Sequence, residues 1–262
     1  MAYGKLRFER DGRVVLITLD RADARNAIDR GLNADLHAAW AEFADDDGLD
    51  VAVLTGAGGT FCAGADLADY IPQFLGGDML TVRANVSTGL GGITRGQHRL
   101  AKPVIAAVNG AALAGGFELA LACDIRIAVE GATFGSYEIH RGFHHGDGGI
   151  VRMVQSIGVA RTMDIVLTGR DVTAAEALSI GLVSRVMPED GLLPAALDLA
   201  ARIAGKSQVA IRSAKETILE VAGRTLDDAL RLEALYGYSS GDVREVKRQL
   251  DRFFLKNSDG GA

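Results

Sequence analysis

Apolar runs along this chain come in two lengths, short β-rich stretches and longer stretches with helical spacing, and the two alternate through most of it. Residues 6–10 and Val14–Leu19 are β-rich runs joined by Asp11-Gly12, a dipeptide that favours a tight turn, so the chain is expected to open with a hairpin. After a polar turn, RADARN at 21–26, Leu32, Leu36 and Trp40 recur at helical spacing and predict a helix over 29–43. Residues 50–55, DVAVLT, read as a buried strand. Between 70 and 100 the pattern is poor. Gly76-Gly77 and then Gly89, Gly91 and Gly92 interrupt any helix there, which predicts a mobile stretch.

The pattern sharpens at 102–124, KPVIAAVNGAALAGGFELALACD. Val104–Val108 is too short for a helix and is bounded by Pro103 and Asn109-Gly110, so it reads as a buried strand. Ala114, Gly115 and Gly116 then remove side-chain bulk where a helix over 117–123 begins, with Leu119, Ala120 and Cys123 sharing a face. Ile125–Val129 is another strand. Helices are predicted at 153–158, 160–167 and Ala174–Ser179, the last capped by Thr173 and ended by Gly181, followed by a strand over 182–186. From 192 onward the chain is helical and amphipathic, at 194–204, 208–222, 225–238 and 242–255.

Glycines at a helix start let a ligand atom approach the backbone, and unpaired N–H groups there favour negative charge. The Gly115 N–H is therefore a candidate donor, and Glu118 is an acid one turn into an otherwise apolar helix. A second glycine-rich stretch, GAGGTFCAGADL at 56–67, follows the strand at 50–55.

Together these two stretches resemble the signature of the enoyl-CoA hydratase/isomerase family, also called the crotonase family. The resemblance implies an α/β fold, a crotonase (ClpP/crotonase-like) spiral of ββα units over 1–195, with a helical oligomerisation region over 196–262 that packs homotrimers, commonly paired as hexamers. It implies an oxyanion hole for an acyl-CoA thioester from the N–H groups of Ala63 and Gly115. Fixed dipoles of that kind stabilise developing enolate charge by about 3 to 4 kcal/mol per donor. Arg25 matches a position that holds CoA phosphates, although a solvated loop arginine explains it equally well. Ala65, Asp66 and Leu67 match the segment whose carbonyls meet the adenine. Glu138 lies twenty positions after Glu118, the separation the resemblance gives for paired catalytic glutamates. Hydration of a conjugated double bond needs one group to activate water and another to protonate the α-carbon, and two carboxylates can divide that work.

The segment 132–153, ATFGSYEIHRGFHHGDGGIVRM, departs from the family. Relatives commonly carry a proline before the second glutamate and a Pro-Gly-x-Gly-Gly turn after it; here stand Tyr137 and His145-Gly146-Asp147-Gly148-Gly149. If Glu138 lies in extended chain, His140 points to the same side and is an auxiliary candidate. Asp147 reads as the N-cap of the next helix, or else as a third acid. Dienoyl-CoA isomerases of this family carry a functional aspartate one position earlier, where this chain has Gly146.

Composition narrows the function classes. The chain has 262 residues and a net charge of −6, so its overall field attracts neither nucleic acid nor an anionic membrane. Two cysteines, Cys62 and Cys123, both in apolar runs, suit free buried thiols in a reducing, cytoplasmic setting, and no run resembles a signal peptide or membrane span. The histidines show no recognised metal-ligand spacing, so no metal is expected, and no cofactor beyond a coenzyme A thioester as substrate. The reading is an enoyl-CoA hydratase. The alternatives are another crotonase reaction (isomerase, dehydratase or β-dicarbonyl C–C hydrolase) using the His140 to Asp147 segment, or a non-enzymatic scaffold or RNA-binding relative.

Overall fold

In the computed structural model residues 3–74, 78–241 and 243–258 are described; Gly76, Gly77 and Asp242, which carried expectations above, lie outside them. The chain divides into two units, Met1–Ala201 and Arg202–Ala262. Unit 1 opens with the expected hairpin, β1 (Leu6–Asp11) and β2 (Val14–Leu19). Asp11 pairs with Val14, so the turn residues are Gly12 and Arg13, one place further on than Asp11-Gly12. Gly12 takes the positive φ (56°) that a two-residue hairpin turn asks of its first central residue.

Helix α1 (Arg30–Asp45) follows, with the Asp29 carboxylate accepting from Leu32 N–H at 2.8 Å as its N-cap. Its buried stripe is Leu32, Leu36, Ala39, Trp40 and Phe43. Helix α1 leads to β3 (Val51–Gly56), and after α2 (Met79–Thr88) come β4 (Val104–Val108), the two-residue β5 (Ala112–Leu113), α3 (Gly115–Ala122), β6 (Ile125–Val129) and β7 (Thr133–Gly135). The unit continues through α4 (Gly149–Thr168), β8 (Asp171–Thr173), α5 (Ala174–Ser179), β9 (Arg185–Met187) and α6 (Leu192–Ala204), within which the division falls. The span labelled α4 is two helices that meet at a break at Gly158 (φ 80°, ψ 168°), in keeping with the two helices predicted at 153–158 and 160–167.

The main sheet has six strands in the order β1-β2-β3-β4-β6-β9, parallel except for the opening hairpin. Every residue of β3 and β4 is buried, as a parallel sheet covered on both faces requires. Each fully buried Val, Leu or Ile there contributes roughly 1.5–3 kcal/mol. A second, three-stranded sheet, β5-β7-β8, went unforeseen because two- and three-residue strands carry no periodicity. It matters for the site, since pairing of Ala112 with Phe134 and Leu113 with Gly135 fixes the residues just before α3 against those just before Glu138.

The glycine-rich stretch after α2 corrects the expectation of mobility. Gly89, Gly91 and Gly92 have φ of 72°, 66° and 78°, and residues 89–94 are buried beneath α1. The Trp40 indole donates to the Gly91 carbonyl (2.9 Å), and Gly91 N–H donates to Asn33 (2.7 Å). These glycines serve a left-handed, packed turn.

Unit 2 contains α7 (Gln208–Val221), α8 (Leu226–Ser239), whose N-cap Thr225 accepts from Asp228 N–H, and α9 (Val243–Ser258). No described helix is long and apolar enough to cross a membrane.

Lys102 closes α1 from outside. Its buried ammonium donates at 2.7 Å to the carbonyls of Phe43 and Asp46, the last turn and C-cap of that helix, and lies over the Phe43 ring. Lys102→Met removes both bonds and leaves the carbonyls facing an apolar side chain. We expect a loss of roughly 3 kcal/mol, read as a lower urea midpoint at unchanged slope.

Candidate active site

The site forms where the loop carrying residues 62–65 crosses the start of α3. Asn26, fully buried, fastens the loop from below: its side-chain N–H groups donate to the carbonyls of Ala57 (2.9 Å) and Thr60 (2.7 Å), and its Oδ1 accepts from Arg21 N–H. From the other side the Asn109 side chain bonds both backbone groups of Gly56. The crossing leaves no space for side chains. A Cβ on Gly64 would lie 2.9 Å from the Leu113 carbonyl and 3.0 Å from Gly115 N, and one on Gly116 would collide with the Cys62 carbonyl. Ala114, between them, is held at φ 51°, ψ −125°, strained for a residue with a Cβ.

The crossing places two backbone N–H groups side by side, but one of them is not the expected one. Ala63 N–H donates to the Arg25 carbonyl at 3.0 Å. Ala65 is bridged to Ile28, with Ile28 N–H donating to Gly64 O and Asp66 N–H to Ile28 O, so the Ala65 N–H faces away from that pairing. Among the described residues it has no hydrogen-bond partner, and neither does Gly115 N–H at the first position of α3. A Cβ on Gly115 would lie 3.3 Å from Ala65 N, which shows how close the pair is. Ala63 is therefore replaced by Ala65 as the partner of Gly115: N–H groups two residues apart would share a side in an extended chain, but Gly64 between them has φ 97° and turns the chain, so the Ala63 N–H goes to Arg25 and the Ala65 N–H to the cleft.

Both N–H groups open onto a cleft of about 660 Å³ that is also lined by Arg25, Leu67, Glu118, Glu138 and Asp147. Glu118 (2 % exposed) and Glu138 (5 %) are buried at its floor. Glu118 Oε1 accepts from Asp147 N–H (2.8 Å) and Gly149 N–H (2.9 Å), so the carboxylate of α3 caps the first turn of α4. Glu138 Oε2, by contrast, is buried with no hydrogen-bond partner among the described residues.

Two further expectations are corrected here. Residues Tyr137–Arg141 form a 3-10 turn rather than extended chain, so His140 does not share a side with Glu138. The His140 ring is exposed, with Nε2 2.9 Å from the Gly169 carbonyl and its edge against Tyr137. Asp147 is not the cap of α4, whose N-cap is Gly148; its Oδ1 accepts from Leu90 N–H (2.9 Å) and pairs with Arg95 (3.0 Å). Burial, with the neighbouring Glu118 charge, pushes the Asp147 carboxyl above its ordinary range despite those partners.

The residue that joins the glutamates is His145, which the sequence placed in the departing turn without a role of its own. It is 5 % exposed, with Nδ1 2.8 Å from Glu138 Oε1 and 3.4 Å from Glu118 Oε1, and Nε2 2.8 Å from Ser136 Oγ. Nδ1 thus faces both carboxylates at close range without full hydrogen-bond alignment to either. Burial works against a charged imidazole, yet the two carboxylates outweigh it and raise its pKa to about 9. The three side chains offer donor atoms within 4.8 Å of one another, but those atoms are already engaged with each other and with α4, which makes the cluster an ion-pair network. The available signal was that His145 stands where the family turn has proline, directly before the glycines that open α4.

On the CoA side, Arg25 is exposed at the cleft wall with φ 51°. Asp66 serves the loop itself: its carboxylate pairs with Arg21 (2.7 Å), which holds it below its ordinary range, and its carbonyl accepts from Tyr70 and Ile71 N–H. That leaves Ala65 and Leu67 as the segment's available carbonyls. Cys62 and Cys123 are buried and form no disulfide; burial pushes the Cys62 thiol up to about 12, so it is no nucleophile at neutral pH.

Residues 9–259 match the enoyl-CoA hydratase/isomerase family, and the chain belongs to it, with the crotonase fold. It is 41 % identical to a probable enoyl-CoA hydratase of Rhizobium meliloti over 98 % of this chain and 97 % of that protein. It is 34 % identical to a short-chain-enoyl-CoA hydratase of Clostridium acetobutylicum over 94 % and 96 %. The crystal structure of an enoyl-CoA hydratase from Bacillus anthracis superimposes with a TM-score of 0.86 at 34 % identity, covering 97 % of each chain.

Because the crossing admits no side chain, Gly116→Ala should force the Cys62 carbonyl away and cost on the order of 3 kcal/mol, measurable as a lower urea midpoint.

Proposed function

We propose that this protein adds water to a 2-enoyl-CoA to give a 3-hydroxyacyl-CoA, with the thioester oxygen held by the N–H groups of Ala65 and Gly115. The observation that carries this reading is that two backbone donors without a partner among the described residues and two buried carboxylates line one cleft. The donors belong to a backbone crossing that glycines hold rigid, so they need no reorganisation as enolate charge develops on the oxygen. Glu118, held by two backbone N–H groups, positions and deprotonates the water, and Glu138, with a free buried oxygen, exchanges the proton at the α-carbon.

Arg25 serves the CoA phosphates, and the carbonyls of Ala65 and Leu67 the adenine edge, while Asp66 pairs with Arg21 to keep the loop in place. Asp147 stands as a third acid on the cleft wall, tied to Arg95, and His140 supports the turn around Glu138 through Gly169. The helical region assembles homotrimers, with hexamers as pairs of these; exposed Ile218, Leu226, Leu235 and Tyr238 supply apolar surface for it. A cytoplasmic setting fits two buried cysteines that form no disulfide.

The test is loss of the conjugated enoyl-thioester absorbance with crotonyl-CoA and a longer 2-enoyl-CoA. Glu118→Gln and Glu138→Gln should each lower kcat by roughly a thousandfold. Wild-type rates in both variants would refute the assignment.

A further inference from the structure

Every hydration by two carboxylates leaves them exchanged. The C–O bond forms as water oxygen attacks the β-carbon, the water O–H breaks with its proton passing to Glu118, and the α-carbon takes a proton from Glu138. Before the next substrate, a proton must leave Glu118 and one must reach Glu138. Resting on the hydratase reading above, we infer that His145 carries this proton between the two glutamates through a single nitrogen, Nδ1.

The geometry carries the inference. Nδ1 is 2.8 Å from Glu138 Oε1 and 3.4 Å from Glu118 Oε1, while Nε2 is tied to Ser136 Oγ at 2.8 Å. Nε2 is engaged with Ser136 Oγ, a hydroxyl oxygen able to accept its proton, so Nδ1, which faces both carboxylates, is the nitrogen placed to exchange one. The ring lies against Gly149, where a Cβ would come within 2.8 Å of it. A small rotation brings Nδ1 into line with one carboxylate or the other.

The cycle closes without any other reactant. The resting imidazolium gives Nδ1–H to Glu138. The neutral carboxyl, whose Oε2 has no hydrogen-bond partner among the described residues, turns and delivers the proton to the α-carbon. Glu118, protonated by water, then returns its proton to Nδ1. Net change is one water added to the substrate. His145 lies outside the cleft lining, so it touches no reacting atom and is a positioning residue that acts through the glutamates.

The charged surroundings are accounted for. Glu118 faces the ring from α3 and Glu138 from the 3-10 turn. At the start of α4, Asp147 is turned toward Leu90 and Arg95, and Arg152 donates to the carbonyls of Asp147 and Thr94. His144, next in sequence, is exposed, with Nδ1 on the His145 carbonyl. The two carboxylates dominate, which is why the imidazole pKa rises to about 9 despite burial.

Nuclear magnetic resonance of the full-length protein, labelled with ¹⁵N-histidine, should find His145 cationic at pH 7 and titrating near 9. A neutral ring at pH 7 would overturn the relay. In crotonyl-CoA hydration, the wild-type kcat should fall on an alkaline limb that coincides with this titration. His145→Gln should remove the limb from that position and lower kcat on the order of a hundredfold, with KM nearly unchanged. A purely structural role would lower stability and leave the limb in place. His145→Pro, which restores the residue common in relatives, should behave like His145→Gln with regained stability. If neither variant folds, the wild-type comparison decides: a limb that departs from the His145 titration rejects the relay. A wild-type protein without turnover would overturn the hydratase reading and the relay with it, whereas turnover with an unmoved limb overturns the relay alone.

Discussion

The structure depends on one close approach, the crossing of the backbone at Cys62 to Ala65 with the backbone at Leu113 to Gly116. No side chain intervenes, and substitution at Gly64 or Gly116 would put a Cβ against a carbonyl of the other strand. Two peptide segments this close exclude water between them, so their remaining polar groups must either pair or point into the cleft. Most pair: Leu113 N–H with the Cys62 carbonyl, Cys62 N–H with Ala111, Ala114 N–H with Gly135. Among the described residues the N–H groups of Ala65 and Gly115 have no partner, and they are the two donors on which the proposed chemistry rests. The rest of the unit supports this crossing. The parallel sheet aligns β3 and β4, from whose ends the two segments leave, and Asn26 and Asn109 replace backbone pairing where the loop has none.

The same arrangement explains why the paired acids come from different elements. Glu118 is carried by the helix that starts at the crossing, and Glu138 by the turn that follows β7, which is hydrogen-bonded to β5 just before that crossing. Their separation is thus set by sheet register rather than by loop conformation. Such support holds reacting groups to within fractions of an ångström, where oriented catalysis is most sensitive.

Much of this was legible in the residues. Strands with continuous apolar runs, such as Val104–Val108, and helices with a clear stripe, such as the one carrying Leu32, Leu36 and Trp40, were found because burial imposes a period that one sequence displays. Illegible were features set by tertiary contact. The glycines at 89–92 look like flexible punctuation, and only the Trp40 and Asn33 side chains of α1 turn them into a packed element. Asp147 looks like a helix cap, but a carboxylate from another helix took that place. Choosing Ala65 over Ala63 required knowing that the Arg25 carbonyl already takes the Ala63 N–H. His145 carried no pattern of its own, because its partners are seven and twenty-seven positions away on separate elements.

The double hydrogen bond from the start of α4 to Glu118 bears on how relatives of this chain should be judged. Truncating an active-site acid often stabilises an enzyme, since such groups are held for chemistry against the interests of packing. Glu118 is the reverse: removing its carboxylate would strand two N–H groups at a buried helix end. A descendant that had lost all activity would still be selected to keep it. A glutamate at this position is accordingly weak testimony that a family member is an enzyme. The one at Glu138, whose Oε2 has no hydrogen-bond partner among the described residues, is the stronger witness.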